Sequence, residues 1–510
     1  MSSTARKAAP PGPTAADGPG PLAGRSRRRG ADGRRGPAGP GPPDGPLAAA
    51  AAGFTGGDPA GQQAGLHALE QLADQDPAAR QQCVDLLCAA VRAAPPDRPP
   101  PAGSEEQQQD WRASRERRQA VLAVLTAHLR DDAAVSWRGC DLDFTGIVVD
   151  EPEASPAPGA ALSPVSFAGV TFDGGKVSFA GGRFSGGELS FAGVTFAGGE
   201  VSFAGASFTG TRVSLLSAEF GGGAVSFAGA QFGGGKVSFT GAVFSGADVD
   251  FTDVTFSAGE TSFTGAGFTG GKVRFTDAKF AGGIVSLARA HFAGTEVSFA
   301  GARFTGTRLS LVGADFTGGE VSFAGAEFGG GKISFTAAVF SGGMVGFLGA
   351  RFTGGYTSFL AAMFSGSEIG FMDAEFTGGE VGFVDAKFCG GEVSFVGAEF
   401  TGGEVSFTSA AFAQGTVSFV AAEFDGGEVR FPWAEFGGAA VRFASASFNG
   451  GTVSFSRSRF SGGEVDFTSA TFSGGFVDLS QALTWVVPPQ FDRVTHPIGL
   501  LLPAAAGETA

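Results

Sequence analysis

The stretch "GGEVSFVGAEFTGGEVSF", residues 390–407, carries phenylalanines at spacings of five and seven. The same rhythm runs from residue 165 to residue 476 as 26 consecutive 12-residue units, without an insertion or a deletion. The consensus is V-S-F-A-G-A-x-F-x-G-G-x, and its eighth position is Phe in all 26 units. The third position is Phe in 23 units, and the tenth is Gly in 24. This register predicts a repeat architecture, in which one structural unit is copied many times.

A single unit, residues 201–212, shows the expected chemistry of each position. Val201 and Phe203 are two residues apart, as are Ala206 and Phe208, so each pair points to one side of a short extended segment. The seventh position takes Thr, Arg, Glu, Lys, Gln or His, as an outward position does. The common Gly-Gly at the tenth and eleventh positions permits positive φ in a turn. One unit therefore predicts two short strands and two corners, and stacked units bury Phe on Phe.

Two coil lengths are compatible with this unit. Two units per coil give a 24-residue coil with four sides, whereas one unit per coil gives a flat, two-sided 12-residue coil that crowds two Phe into each layer. "TGTRVSLLSAEF" at residue 209 recurs as "TGTRLSLVGADF" at residue 305, a shift of eight units. Because that shift is an even number of units, it favours the 24-residue coil.

The unit also divides into two pentapeptides and two further residues, as in "VSFAG" and "ASFTG" of residues 201–210. In this it resembles the pentapeptide-repeat family, whose five-residue units place a small residue two before a central Leu or Phe. Phe nearly replaces Leu here, and two residues are added per pair. The flanks "AVLAVLTAHLR" and "WRGCDLDFTG" resemble actinobacterial members with a helical N-terminal segment. The resemblance, over about residues 62–503, implies a right-handed quadrilateral β-helix and, for most members, no established activity.

Composition divides the chain into five segments. Residues 1–60 are rich in Pro, Gly and Ala, carry eight basic and four acidic side chains, and are expected to be a disordered tail. Residues 61–135 have helical periodicity and predict a small helical cap, split at Asp76-Pro77. Residues 136–164 form a transition strand and a linker. Residues 165–480 are the β-helix, and 481–510 are a C-terminal cap and tail.

No catalytic or cofactor motif stands out. The histidines His67, His128, His291 and His496 lie far apart, and the four cysteines have no metal-ligand spacing. We therefore expect no enzyme activity, no cofactor and no metal site. Cysteine spacing favours a reduced environment, no signal peptide is evident and no apolar run is long enough to span a bilayer, so a cytoplasmic protein without a membrane span is expected.

The acidic side chains are concentrated in one block of the repeat. Residues 165–366 hold twelve basic and thirteen acidic side chains, whereas residues 367–436 hold two basic and twelve acidic ones. Within the block, Glu375, Glu399 and Glu423 recur in every second unit at the seventh position. Glu380, Glu404 and Glu428 do the same at the twelfth. With 24-residue coils these six would form two columns on one face. Solubility alone could also maintain such a surface.

These features favour a protein-binding scaffold whose partner carries a basic surface. The resemblance implies an alternative, because some pentapeptide-repeat proteins act on DNA gyrase through an acidic rod that resembles duplex DNA. A structural surface rod is the third hypothesis. Direct nucleic-acid binding is not expected, except by the basic tail with its "RSRRRGADGRR" at residues 25–35. Homo-oligomerisation is left open.

Overall fold

The computed structural model describes residues 45–56, 58–93, 104–150, 165–492 and 499–503. Within the repeat, strands pair in parallel with strands two units further along the chain, as Glu200–Ser202 do with Ala224–Ser226. The chain is a parallel β-solenoid of about 14 turns with 24 residues per coil. The 24-residue prediction is therefore confirmed, and the 12-residue coil is excluded.

Two sheets run the length of the solenoid, and each coil contributes to each sheet one stretch that runs from the seventh position of a unit to the second position of the next unit. The first sheet contains the strands Leu142–Asp143, Thr171–Phe172, Lys176–Ser178, Thr195–Phe196, Glu200–Ser202, Glu219–Phe220, Ala224–Ser226, Val243–Asp250, Gly267–Arg274, His291–Ser298, Asp315–Ser322, Val339–Phe340, Met344–Gly346, Met363–Phe364, Glu368–Gly370, Lys387–Ser394, Ala411–Ser418, Glu435–Phe436, Ala440–Arg442, Arg459–Phe460, Glu464–Asp466 and Thr484–Trp485. The second sheet contains Val148–Asp150, Val165–Ser166, Arg183–Ser185, Glu188–Ser190, Ser207–Thr209, Arg212–Ser214, Gln231–Ser238, Thr255–Ser262, Lys279–Phe280, Ile284–Ser286, Arg303–Phe304, Arg308–Ser310, Glu327–Ser334, Arg351–Ser358, Glu375–Phe376, Glu380–Gly382, Glu399–Phe400, Glu404–Ser406, Glu423–Phe424, Glu428–Arg430, Ser447–Phe448, Thr452–Ser454, Thr471–Phe472, Phe476–Asp478 and Leu500–Leu501.

Each sheet bends at the glycine pair, which gives the coil four sides. One strand, at the seventh and eighth positions, lies before this bend. Another, from the twelfth position to the second position of the next unit, lies after it. Gly403, at the eleventh position, has φ of 71°, and a Cβ added there would lie 2.5 Å from the Gly379 carbonyl oxygen of the preceding coil. Only glycine fits this site without strain. The two sheets meet at corners formed by the fourth and fifth positions, where the fifth also has positive φ, 53° at Asp373.

Four ladders of stacked side chains, mostly Phe, run through the core. All 26 third-position side chains are buried, and so are all eighth-position Phe except Phe472, which is partly buried. In mid-rod, Phe383 and Phe407 stack at 4.7 Å between ring centroids, with an interplanar angle of 5°. Facing third-position ladders meet edge to face, as Phe383 does with Phe395 at 6.1 Å and 81°. The inward assignment of these positions is confirmed.

In the described part of the chain, four helices precede the solenoid: Pro46–Phe54, Pro59–Gln75, Arg80–Arg92 and Glu105–His128. The last begins with a capping box between Ser104 and Gln107. The second begins at Pro59 behind the Asp58 cap, whose carboxylate accepts the Gly61 amide hydrogen bond. Asp76-Pro77 separates two helices as expected, but it forms a turn, so the following helix begins only at Arg80.

The first helix differs from the expectation of a tail extending to residue 60. Pro46 in the first turn and the alanine-rich run after it favour a helix. Phe54 is buried at its end, close to Gly65 of the second helix, where an added Cβ would clash with the Phe54 backbone. Residues 151–164 of the expected linker and residues 1–44 of the expected tail lie outside the described residues.

The helices and the solenoid share one hydrophobic core. Trp137 stacks on His128 with 3.9 Å between ring centroids, and its Nε1 donates a hydrogen bond to Asp74. The Gln81 amide group joins the third helix to the backbone of Asp141, immediately before the first strand. The helical segment therefore closes the N-terminal end of the solenoid.

The 24-residue register ends at the C-terminal cap. Thr484–Trp485 pairs with Arg459–Phe460 at a 25-residue spacing, and Leu500–Leu501 pairs with Val477 and Asp478 at a 23-residue spacing. Phe491 still stacks on Phe467, at 5.0 Å between ring centroids. The cap thus continues the fold after the repeat sequence has ended.

Candidate functional site: an acidic face on the second sheet

The six glutamates predicted from the sequence lie on the second sheet. Glu375 pairs in register with Glu399, and Glu399 with Glu423. Glu380 pairs in the same way with Glu404, and Glu404 with Glu428. The two columns lie on either side of the glycine bend. We call this surface the acidic face; it consists of Glu375, Glu380, Glu399, Glu404, Glu423 and Glu428.

Strand alternation turns these side chains outward. Glu399 immediately precedes Phe400, and Glu404 precedes Val405, and both of these apolar residues are buried. Successive side chains of a strand point to opposite sides, so the glutamates point away from the core. Because the backbone of each coil is hydrogen-bonded to both neighbouring coils, the carboxylates are displayed on a fixed framework.

Two arginines pair with part of the acidic face. Arg351 stands one coil before Glu375, and its Nε lies 3.2 Å from Glu375 Oε2. Arg430 occupies a second position that is usually Ser, and it pairs with Glu428 and, at 3.4 Å, with Glu404. The hydrogen bond with Glu428 is the main cause that raises the pKa of Arg430, and the charge of Glu404 adds to it. The first column is therefore balanced at Glu375, and the second at Glu404 and Glu428.

Glu380, Glu399 and Glu423 have no ion pair with any described residue. Glu399 and Glu423 are adjacent in one column, separated by one strand spacing of about 4.8 Å. At that distance two carboxylates repel each other by somewhat less than ~1 kcal/mol in water, and less in salt. This column does not stabilise the fold.

Sequence reasoning missed two features of this region. Arg351 lies outside the acidic block, and only its position one coil before Glu375 connects them. Glu368 and Glu392 are also one coil apart, and they pair in register on the first sheet. Lys387 belongs to that sheet too, between Met363 and Ala411, so it does not neutralise the acidic face.

The remaining polar clusters belong to the helical cap. His128 Nε2 lies 3.2 Å from Asp74 Oδ1, beside the stacked Trp137. Cys83, Cys88, Cys140 and Cys389 are free, and burial raises the pKa of Cys88 to about 12. Among the described residues, no group of His, Cys, Asp and Glu could hold a metal ion. No helix in the described part of the chain is long and apolar enough to cross a membrane.

Comparison of the chain with protein-family models, with curated proteins and with solved structures found no match. The parallel solenoid with its regularly spaced Phe is consistent with a fold like that of pentapeptide-repeat proteins. Membership of that family remains a prediction. The fold therefore defines the class, a parallel β-solenoid protein, and the acidic face is its most distinctive described surface.

Proposed function

We propose that the chain is a non-enzymatic binding scaffold whose acidic face accepts a basic surface of a protein partner. One observation carries the proposal: the 24-residue coil aligns six glutamates on one sheet. The block that contains them has two basic and twelve acidic side chains, whereas residues 165–366 are nearly neutral. A charge concentrated on one part of a rigid rod favours one docking position over the others.

The physical role of the face would be attraction and orientation. Opposite charges raise the rate of association, and at physiological salt their reach is limited to about 8 Å. Arg351 and Arg430 hold Glu375, Glu404 and Glu428 in place, while the other three carboxylates remain free to pair with a partner. The partner would therefore need a few basic side chains at a matching spacing.

The DNA-mimic hypothesis is the second candidate, and charge density favours it locally. Duplex DNA carries one charge per about 1.7 Å, or roughly six over the ~10 Å between the first and third glutamates of a column. Six glutamates occupy that length, and Arg351 and Arg430 balance part of their charge. The match extends over only three coils, so any mimicry concerns a short segment of duplex. DNA gyrase is accordingly the first partner to test.

The test compares the protein with two charge variants. In the six-Gln variant, all six glutamates of the acidic face become Gln. In the matched control, the same change is made at six glutamates outside the block: Glu188, Glu200, Glu219, Glu260, Glu296 and Glu320. Each immobilised protein is exposed to extract from the source organism, and the captured proteins are quantified by mass spectrometry.

The proposal expects a basic protein that is captured by the parent and by the control but lost from the six-Gln variant. Gyrase supercoiling is assayed with the same three proteins, and the mimic predicts inhibition by the parent and the control only. Equal capture by all three proteins would place binding elsewhere on the rod. A purely structural rod predicts no partner that distinguishes the variants.

A further inference from the structure

Large apolar side chains are concentrated at one outward position of the repeat within and beside the acidic block. The fourth position forms part of each corner and is Ala, Thr or Ser in most units. In seven of eight consecutive units it instead holds Leu348, Leu360, Met372, Val384, Val396, Val420 or Pro432, and the remaining unit has Thr408. In the other 18 units, Leu216 and Val312 are the only large apolar residues there. The fold does not require this substitution, since alanine serves elsewhere.

Four of these residues form a line along the rod, which we call the apolar edge: Leu348, Met372, Val396 and Val420. They occupy successive turns of the corner that enters the second sheet, and backbone hydrogen bonds join the turns. The Gly349 amide donates to the Met372 carbonyl at 2.9 Å, and the Gly397 amide to the Val420 carbonyl at 3.1 Å. Leu348 is 48% exposed and Met372 41%, while the two valines are half-buried.

The apolar edge borders the acidic face directly. Glu375, Glu399 and Glu423 each lie three residues after an apolar-edge residue of the same unit. Glu399 and Glu423 have no cationic partner among the described residues, so unbalanced negative charge lies beside the half-buried valines of the apolar edge. The more exposed Leu348 and Met372 lie beside the Arg351–Glu375 ion pair. The opposite corner, which leaves the second sheet, carries the other four residues: Leu360, Val384, Thr408 and Pro432. It is a weaker candidate, because Thr408 interrupts the apolar residues and Arg430 balances the adjacent glutamate column.

We propose that the apolar edge and the adjacent glutamates dock a basic amphipathic α-helix of a protein partner. This deepens the function proposed above and rests on it. Charge complementarity requires Lys or Arg on the occupant, and the apolar line requires an apolar stripe beside them. Edge pairing by an extended strand is unavailable here, since each described strand of these central coils is paired on both sides.

The spacing of the coils fits a helix better than a strand. Coils repeat about every 4.8 Å, and one helical turn rises about 5.4 Å. Side chains at i, i+4, i+7 and i+11 of a helix can therefore contact four successive coils. Over these three steps the helix and the coils move out of register by only roughly 2 Å. Side chains on one face of a strand are about 6.8 Å apart and lose register after the first contact. The helix radius of about 5 Å lets Lys or Arg beside the stripe reach the glutamates.

The test uses the full chain and two synthetic helical peptides of about 18 residues. The first places leucines at i, i+4, i+7 and i+11 with lysines beside them, and the second has the same composition with the leucines spread around the helix. Fluorescence anisotropy gives the dissociation constant of each peptide for the parent and for variants.

Two double variants test the surface. Leu348→Ala with Met372→Ala truncates the apolar edge, and Leu216→Ala with Val312→Ala is the matched control at fourth positions elsewhere. Glu399→Gln with Glu423→Gln removes the free charges, and Glu219→Gln with Glu260→Gln is its control.

The proposal expects the amphipathic peptide to bind the parent, and each of the two test variants to weaken binding by about tenfold or more, as for central interface residues. Both controls should remain within about twofold of the parent. Equal binding of the permuted peptide, or no binding of the amphipathic one, would overturn the helix proposal. So would unchanged binding by the Leu348/Met372 variant. In these cases the proposed function would still be supported if the capture experiment found a partner that binds the parent and the six-glutamate control but not the six-Gln variant.

Discussion

At the residue scale, the fold depends on two side-chain choices that recur in nearly every coil. Phe at the third and eighth positions fills the interior, where each ring stacks on its counterpart one coil away. In the units whose eleventh position is glycine with positive φ, the chain bends where the backbone of the previous coil is too close for a Cβ, as at Gly403. Both roles are visible in the 12-residue consensus, because an interior slot and a positive-φ slot each admit few residue types.

The interior role predicts the effect of Phe328→Ala. Phe328 is 1% exposed and stacks between Phe304 and Phe352, at 5.2 and 4.7 Å between ring centroids. Its truncation should cost about 3–5 kcal/mol of local stability by loss of burial and creation of a cavity. Hydrogen exchange of the adjacent coils measures this cost. Phe476→Ala, at a residue 52% exposed, makes the same chemical change and should cost far less. Equal exchange in the two variants would contradict the inward assignment.

The glycine role predicts a difference between two residues with similar backbone angles. Gly403 has φ of 71° and would place a Cβ 2.5 Å from a carbonyl oxygen, whereas Gly229 has φ of 66° and no atom within 4 Å of its Cβ position. Gly403→Ala should therefore destabilise the protein by at least ~2 kcal/mol through strain and overlap. Gly229→Ala should cost about 1 kcal/mol or less, since Ala421 adopts that angle at an equivalent site. Chemical denaturation compares the two, and similar costs would be evidence against the close approach.

At the element scale, the decisive feature is the strand register. After each pair of units the chain returns to the same sheet, and this brings Glu375 beside Glu399 while placing Lys387 on the other sheet. No other spacing would assemble the acidic face or the apolar edge.

Chemical cross-linking measures this register. In a Cys389→Ser background, Glu375→Cys with Glu399→Cys places two thiols on neighbouring strands about 4.8 Å apart. A short bismaleimide should join them within one molecule, as seen by mass spectrometry of the digested protein. Glu375→Cys with Lys387→Cys places the thiols on different sheets, facing away from each other, and should not cross-link. Preferential cross-linking of the second pair would contradict the 24-residue coil.

The elements also show how far the sequence could be interpreted. The strands and the two glutamate columns were predictable, because a repeat without insertions transmits its register over the whole solenoid. The helix Pro46–Phe54 was not, since alanine-rich runs have little periodicity and its burial depends on contact with Gly65. Nor was the pairing of Arg351 with Glu375 evident, because the two lie a full coil apart and on opposite sides of the boundary of the charged block.

At the scale of the whole molecule, the repeat joins a stable framework to a local difference in surface chemistry. The interior varies little along the rod, whereas the outward positions change freely because they do not carry the fold. Charge and large apolar side chains change together near residues 348–428. Because each coil contacts its neighbours only, the surface can change in one part of the rod without affecting distant coils.

The most direct measurement is the salt dependence of the dissociation constant of the captured partner. It is measured separately for the parent, the six-Gln variant and the matched control. Binding by the parent and by the control should weaken by about tenfold or more between ~50 and ~500 mM salt, because screening shortens the reach of the carboxylates. The six-Gln variant should bind weakly at both concentrations, with its thermal stability unchanged or slightly raised. If the six-Gln variant bound at low salt as tightly as the parent, the acidic face would not be the binding surface.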